Sequence, residues 1–150
     1  MNAQDGEVLP AATLYRELEG SLIHTMNYTC PDIAYTISIL ACYMQNPRTP
    51  HWKAAKYILQ YLCGSTDCGI EFDGKGEFYR AVDSYWGMDI DMNRSTMGSI
   101  FMFAGGPISW KSKCQKAVSD SSTEAKIHAA TDAVKECKWL QDVLSDLEEL

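Results

Sequence analysis

Residues 78–87 read FYRAVDSYWG, and residues 121–130 read SSTEAKIHAA. The first is a strand-like apolar run interrupted by an aspartate, Asp83, and the second opens a long helical pattern with a glutamate, Glu124, near its start. Between them, STMGSIFMFAGGPISWKS (95–112) has two apolar runs around a glycine pair, the pattern of a β-hairpin. A strand, a hairpin and a helix in that order bring Asp83 and Glu124, 41 residues apart, toward one another. Two carboxylates from separate elements are the donor type that holds magnesium for phosphodiester hydrolysis. Asp83 and Glu124 are therefore the candidate catalytic and metal-ligating residues.

Each has a plainer reading beside the functional one. Ser121-Ser122-Thr123-Glu124 fits a capping box, in which Ser121 caps the helix and Glu124 reaches back to the cap amide. An aspartate in a strand is at home at an edge or turn, because burying an unpaired carboxylate is costly. Lys111, Lys113 and Lys116 form a basic run without an acid among them. Lys111 and Lys113 are candidate nucleic-acid contacts, against the reading of a solvated strand. Asp89 and Asp91 read as a solvated connection, and His128, at i+4 from Glu124, reads as a helix-face residue. Trp52, Trp86, Trp110 and Trp139 read as core or interface residues, since no basic and aromatic interleaving surrounds them.

Upstream, the periodicity changes from two to about 3.6. Leu14, Leu18, Leu22 and Met26 recur as a helical stripe after a capping Thr13. A second helix begins at Pro31 and carries Ile33, Ala34, Ile37, Leu40, Ala41 and Met44, with Cys42 as a core thiol, before Asn46-Pro47 ends it. A third starts with Thr49 as cap and Pro50 at its first position, places Trp52, Ala55, Leu59 and Leu62 on one face, and stops at Gly64. Three amphipathic helices with short connections imply a small helical bundle. Beyond Gly64 the pattern predicts a short strand at 68–72, strands at 78–85, 100–104 and 108–112 (the last continuing through Ala117-Val118), and a helix over 122–147. The class is α+β: a small helical bundle, then a three-strand meander and a long helix. The expected organisation is a disordered leader over 1–12, a helical segment over 13–66, a linker over 67–77 and an α+β domain over 78–150.

Composition narrows the classes. The 150 residues are 46% hydrophobic and 22% charged, which is globular rather than disordered. A net charge of −7 is a poor match for a free-standing nucleic-acid binder, whose affinity rests on neutralising phosphate. The six cysteines contain no C-x-x-C pair and, with three histidines, complete no zinc spacing, so free thiols in a reducing compartment are expected. The first twenty residues lack a basic and an apolar signal region, and no segment has the apolar length of a membrane span. An intracellular chain, in cytoplasm or nucleus, without membrane attachment is the expectation.

Taken together, these segments resemble the C-terminal part of the Pol polyprotein of Ty1/copia-type LTR retrotransposons. YRELEGSLIHTMNYTCPDIAYTISILACYMQNPRTPHWKAAKYILQYLCGS resembles the end of that family's reverse transcriptase, with its Y-R-x-L-x-G-S-L start, P-D-I-A-Y core and H-W-x-A-A-K helix. VDSYWGMDIDMNRSTMGSIFMFAGGPISWKSKCQ resembles the opening strands of its ribonuclease H, and SSTEAKIHAA that domain's first helix. The likeness spans about residues 12–147. It implies a ribonuclease H fold, in which the meander and first helix begin a mixed five-stranded sheet, and cleavage of RNA in RNA–DNA hybrids by two magnesium ions. It assigns Asp83 to the first catalytic aspartate and Glu124 to the glutamate of the first helix.

The resemblance also sets limits. It places two further catalytic aspartates after that helix, past Leu150, so an incomplete set and little nuclease activity alone are expected. Tyr85 stands where the family has an acid, and Lys126-Ile127 follow Ala125 where the family has Glu-Tyr. An incomplete sheet exposes an edge for self-association or for a protein partner. The alternative is a co-opted interaction module, such as a transposon-derived secreted RxLR-type effector acting in a host cell; Arg16-Glu17-Leu18-Glu19 half resembles that motif.

Overall fold

The computed structural model describes residues 6–85, 95–115 and 120–148, which fall into two units divided between Glu71 and Phe72. The class is α+β. In the first unit α1 spans Ala12–Tyr28, a 3-10 turn covers Pro31–Ile33, and α2 (Ala34–Ala41) and α3 (Thr49–Gly64) follow. In the second, β1 (Tyr79–Tyr85), β2 (Thr96–Phe103) and β3 (Gly106–Cys114) form an antiparallel sheet in the order β1-β2-β3, and α4 spans Ser122–Glu148.

The core of the helical unit is Tyr15, Leu22, Ile33, Ile37, Leu40, Ala55 and Ile58. The buried side of α1 is Tyr15, Glu19 and Leu22, whereas Leu14 is exposed. The phenol anchors that rotation, since the Tyr15 hydroxyl donates to the Leu40 carbonyl at 2.9 Å. Pro31 opens a 3-10 turn rather than α2 itself. At the other end the amides of Cys42, Tyr43 and Met44 donate to carbonyls three residues back, so the helix tightens and closes at Ala41 instead of reaching Met44. Cys42 is consequently exposed rather than in the core. In α3 the cap falls at Arg48, one residue earlier than expected. The Arg48 amide donates to His51 Nδ1 at 3.1 Å, and the buried side becomes His51, Ala55 and Ile58, with Leu59 turned outward. Residues 6–9 lie against 47–49: the Leu9 amide donates to the Pro47 carbonyl, the Thr49 amide to Glu7, and Val8 bridges Arg48.

In the second unit α4 lays Ala125, Ala129, Ala133, Cys137 and Leu140 inward, and the last three form a core with Phe101, Phe78, Val82 and Ile108. Alanines every four residues allow the helix to approach the sheet closely. Leu147 lies outside that stripe, and Trp139 is exposed rather than core. Trp52 and Trp110 are half-buried, and Trp86 lies outside the described residues, as do Lys116, Asp89, Asp91 and Ala117-Val118. Residues 68–72 form no strand, because among the described residues no ladder partner reaches them. The chain instead docks on the β2–β3 turn, where the Gly74 amide donates to the Ala104 carbonyl at 3.2 Å.

That turn holds Ala104 at φ 52° and Gly105 at φ 88°. Both central residues are left-handed, the twist a two-residue hairpin requires. Alanine incurs a steric cost there that asparagine largely avoids, so Ala104→Asn is expected to raise stability by about 1 kcal/mol, read from urea denaturation midpoints at constant slope.

Candidate functional site

Asp83 lies in β1 opposite Gly98 of β2 and is exposed. Side chains alternate along a strand, and Val82 packs into the α4 core, so Asp83 occupies the other face of the sheet. Its Oδ1 accepts from the Ser84 amide at 2.8 Å.

Glu124 sits in the first turn of α4, half-buried. Its amide donates to Ser121 Oγ at 3.2 Å, the first half of the capping box, and its Oε2 accepts from the Asp120 amide at 2.7 Å, one residue beyond the cap. His128 Nε2 lies 3.7 Å from Glu124 Oε1, so the i+4 pair meets on an exposed helix face. Asp83 and Glu124 thus approach the sheet from different faces, each engaged by a local amide. Among the described residues no three His, Cys, Asp or Glu side chains are grouped to hold a metal ion.

The structure does bring together Lys111, Lys113 and a residue the sequence patterns did not single out, Asp132 of α4. Lys113 Nζ lies 2.5 Å from Asp132 Oδ2 and Lys111 Nζ 3.9 Å from it. One helical turn further, Glu136 Oε1 accepts from Ser109 Oγ at 3.0 Å. Ser109, Lys111 and Lys113 alternate along β3 toward α4, and Asp132 and Glu136 are i,i+4 on the facing helix, so a polar seam runs beside the alanine stripe. The two spacings were visible separately; only their juxtaposition was not. The seam encloses a cavity of about 20 Å³ lined by Met97, Ser99, Lys111, Asp132 and Glu136, of water size.

The hydrogen bond from Lys113 holds the Asp132 carboxyl below its ordinary range, with Lys111 adding to it. A lowered carboxyl pKa contributes stability above the unfolded value and loses it as pH falls through the folded one. The pair is partly solvated, so Asp132→Asn is expected to cost less than about 1 kcal/mol at neutral pH, less still in high salt and nothing in acid. Thermal unfolding at two pH values and two salt concentrations checks this.

In the helical unit, Arg16 of the half-motif Arg16-Glu17-Leu18-Glu19 donates through Nε to the Met44 carbonyl at 3.0 Å, and Glu19 is wholly buried. These residues are built into α1. An open groove of this unit, about 770 Å³, is lined by Asp32, Ile33, Thr36, Lys53, Tyr57 and Tyr61 among others, with Tyr61 hydrogen-bonded to Asp32. Among the described residues no helix is long and apolar enough to cross a membrane.

A helical unit followed by a three-strand meander and a long helix defines the class, an α+β segment with carboxylates on β1 and at the start of α4. The chain is 41% identical over 134 residues to the "Retrovirus-related Pol polyprotein from transposon TNT 1-94" of Nicotiana tabacum, a match covering 89% of this chain and 10% of that polyprotein. It is 38% identical over 150 residues to the corresponding polyprotein from transposon RE2 of Arabidopsis thaliana, covering 98% of this chain and 10% of that one. It is also 35% identical over 128 residues to "Secreted RxLR effector protein 161" of Plasmopara viticola, covering 84% of this chain and 90% of that protein. No family model matches the chain, and no solved structure does. The chain belongs to the Pol-polyprotein family of Ty1/copia-type retroelements, and it spans about a tenth of the length of the two Pol relatives.

Proposed function

We propose that this retroelement-derived segment is ribonuclease H-like in its second unit, descended from a magnesium-dependent activity on RNA–DNA hybrids, and that it cleaves little or nothing as a separate chain. The observation that carries the reading is the placement of the two carboxylates, one on the first strand of an antiparallel meander and one in the first turn of the helix after it. Likeness to Pol polyproteins over nearly the whole chain supports the descent. The low activity follows from the arrangement of the donors. Asp83 lies on the sheet face away from α4, which carries Glu124, so the two carboxylates do not converge on one ion in this arrangement. Lys111 and Lys113 are the phosphate contacts of this reading, Lys111 being exposed and Lys113 engaged by Asp132. The working compartment is intracellular.

The test is a labelled RNA–DNA hybrid incubated with pure protein and magnesium. Wild type and Asp83→Asn are expected to give the same background. Cleavage by wild type that is lost in Asp83→Asn overturns the inactivity.

One observation favours a second reading. The chain covers 90% of the relative named as a secreted RxLR effector, so a segment of this size occurs as nearly all of another protein. A co-opted interaction module acting in a host fits that match. Detection of the protein outside the producing cell distinguishes it from the first reading.

A further inference from the structure

Four asparagines occur in the chain, and one of them opens Asn27-Tyr28-Thr29, the acceptor pattern for N-linked glycosylation with a middle residue other than proline. Asn2 and Asn46 lack the hydroxyl residue two places on, and Asn46 is followed by Pro47. Asn93-Arg94-Ser95 repeats the pattern, but Asn93 and Arg94 lie outside the described residues and Ser95 is wholly buried. The helical unit leaves the first pattern in the open. α1 turns Tyr15, Glu19 and Leu22 into the core, and Met26 packs against the same cluster. Successive helical residues are about 100° apart, so Asn27 clears that side. Asn27, Tyr28 and Thr29 are all exposed. A group attached to Asn27 therefore projects away from the core.

Thr29 closes the helix, its amide and its hydroxyl both donating to the Thr25 carbonyl, at 3.0 and 3.1 Å. In that closed turn the Asn27 amide and the Thr29 hydroxyl do not face each other, because residues two apart on a helix point to different sides. A transferase that reads the two together acts before this turn closes, and the folded helix then carries the product on its outer side. We propose that Asn27 is an N-glycan acceptor, used when the chain passes through a secretory lumen. This rests on the second reading, a module secreted toward a host. The donor is a lipid-diphosphate-linked oligosaccharide. Asn27 Nδ2 forms a bond to C1 of its first sugar as the C1–O bond breaks, the lipid diphosphate leaves with that electron pair, and the amide gives up one proton. A chain that stays in cytoplasm or nucleus keeps a bare Asn27, so this residue reports which of the two routes the protein has taken.

The full chain, carrying Asn93→Gln to isolate the site, is expressed in secretory eukaryotic cells behind a cleavable signal peptide. Mass spectrometry before and after treatment with an N-glycan amidase tests the assignment. One glycan is expected, and its removal leaves a carboxylate at position 27. Asn27→Gln and Thr29→Ala are expected to lose the glycan, and Thr29→Ser to keep it. Position 27 is exposed, so Asn27→Gln is expected to retain the circular dichroism of the parent chain. A chain whose signal has been removed in the lumen and which carries no glycan overturns the proposal. So does a glycan that survives Asn27→Gln. Because the signal peptide is supplied, failure here is distinct from failure of the secreted reading, which rests on finding the native protein outside the producing cell.

Discussion

Replacing Glu19 with leucine is expected to stabilise the helical unit by about 3 kcal/mol at pH 8 and by far less at pH 4, a gain rather than the usual loss for a core substitution. Glu19 is fully buried on α1 between Tyr15 and Leu22, and among the described residues neither carboxylate oxygen has a hydrogen-bond partner. Burial pushes its carboxyl up from an ordinary 4.5 to about 7. The direction is opposite to that of a salt-bridged acid. The folded unit holds the proton more tightly than the unfolded chain does, so its stability is complete below pH 4.5 and declines as pH rises through about 7. A shift of that size corresponds to about 3 kcal/mol at about 1.4 kcal/mol per unit. Leucine removes both the ionisation and the unsatisfied oxygens. Glu19→Gln removes only the first and is expected to flatten the pH dependence with a smaller gain. Denaturant unfolding between pH 4 and pH 8 measures both, and wild-type stability that rises with pH over this range refutes the account.

Gly105→Ala is expected to destabilise the second unit by about 2 kcal/mol or more. Gly105 has φ 88°, and a Cβ added there falls 2.3 Å from Asp73 Oδ1 and 2.9 Å from its Cγ. Asp73 cannot simply swing aside, because the same Oδ1 accepts from the Lys75 amide at 2.8 Å and fixes the turn that docks on Ala104. The substitution therefore combines backbone strain with loss of the contact joining residues 73–75 to the hairpin. Asp73→Ala in the Gly105→Ala background separates the two: it removes the clash but not the strain, and is expected to recover part of the loss. Thermal unfolding of the single and double variants measures the coupling.

The α+β class and the order of elements were legible because amphipathic periodicity is a local property. Val82 and Phe101 lie in short apolar runs set off by turn residues, and Ala125 through Leu140 recur every three to four residues, whatever they pack against. Which turn of a helix faces inward was less legible. Leu14 was the obvious anchor of α1, yet Tyr15 holds that place because its hydroxyl meets a carbonyl 25 residues away. Likewise α3 is rotated by a cap that uses His51, a residue with no conventional capping signature. The short strand at 68–72 failed for a related reason, since a strand exists only where a neighbour supplies its ladder.

For the site, the residue types and the helix-start geometry of Glu124 were readable, because a capping serine and its glutamate are sequence neighbours. The amide that Glu124 engages was off by one residue. The face taken by Asp83 was not readable, since the two sides of a strand become different only when a helix covers one of them. The partnership of Lys111 and Lys113 with Asp132 joins a strand to a helix turn 19 residues on, and no spacing rule reaches that far.

Sequence alone therefore determined the retroelement ancestry, the α+β class and the helix-start placement of Glu124, since these rest on residue identity and local period. Only tertiary structure decided that Glu19 is sealed in a core, that Lys113 is held by Asp132, and that Asp83 lies on the sheet face away from α4. Burial, pairing and exposure are relations between distant segments, and they come into being only when those segments pack.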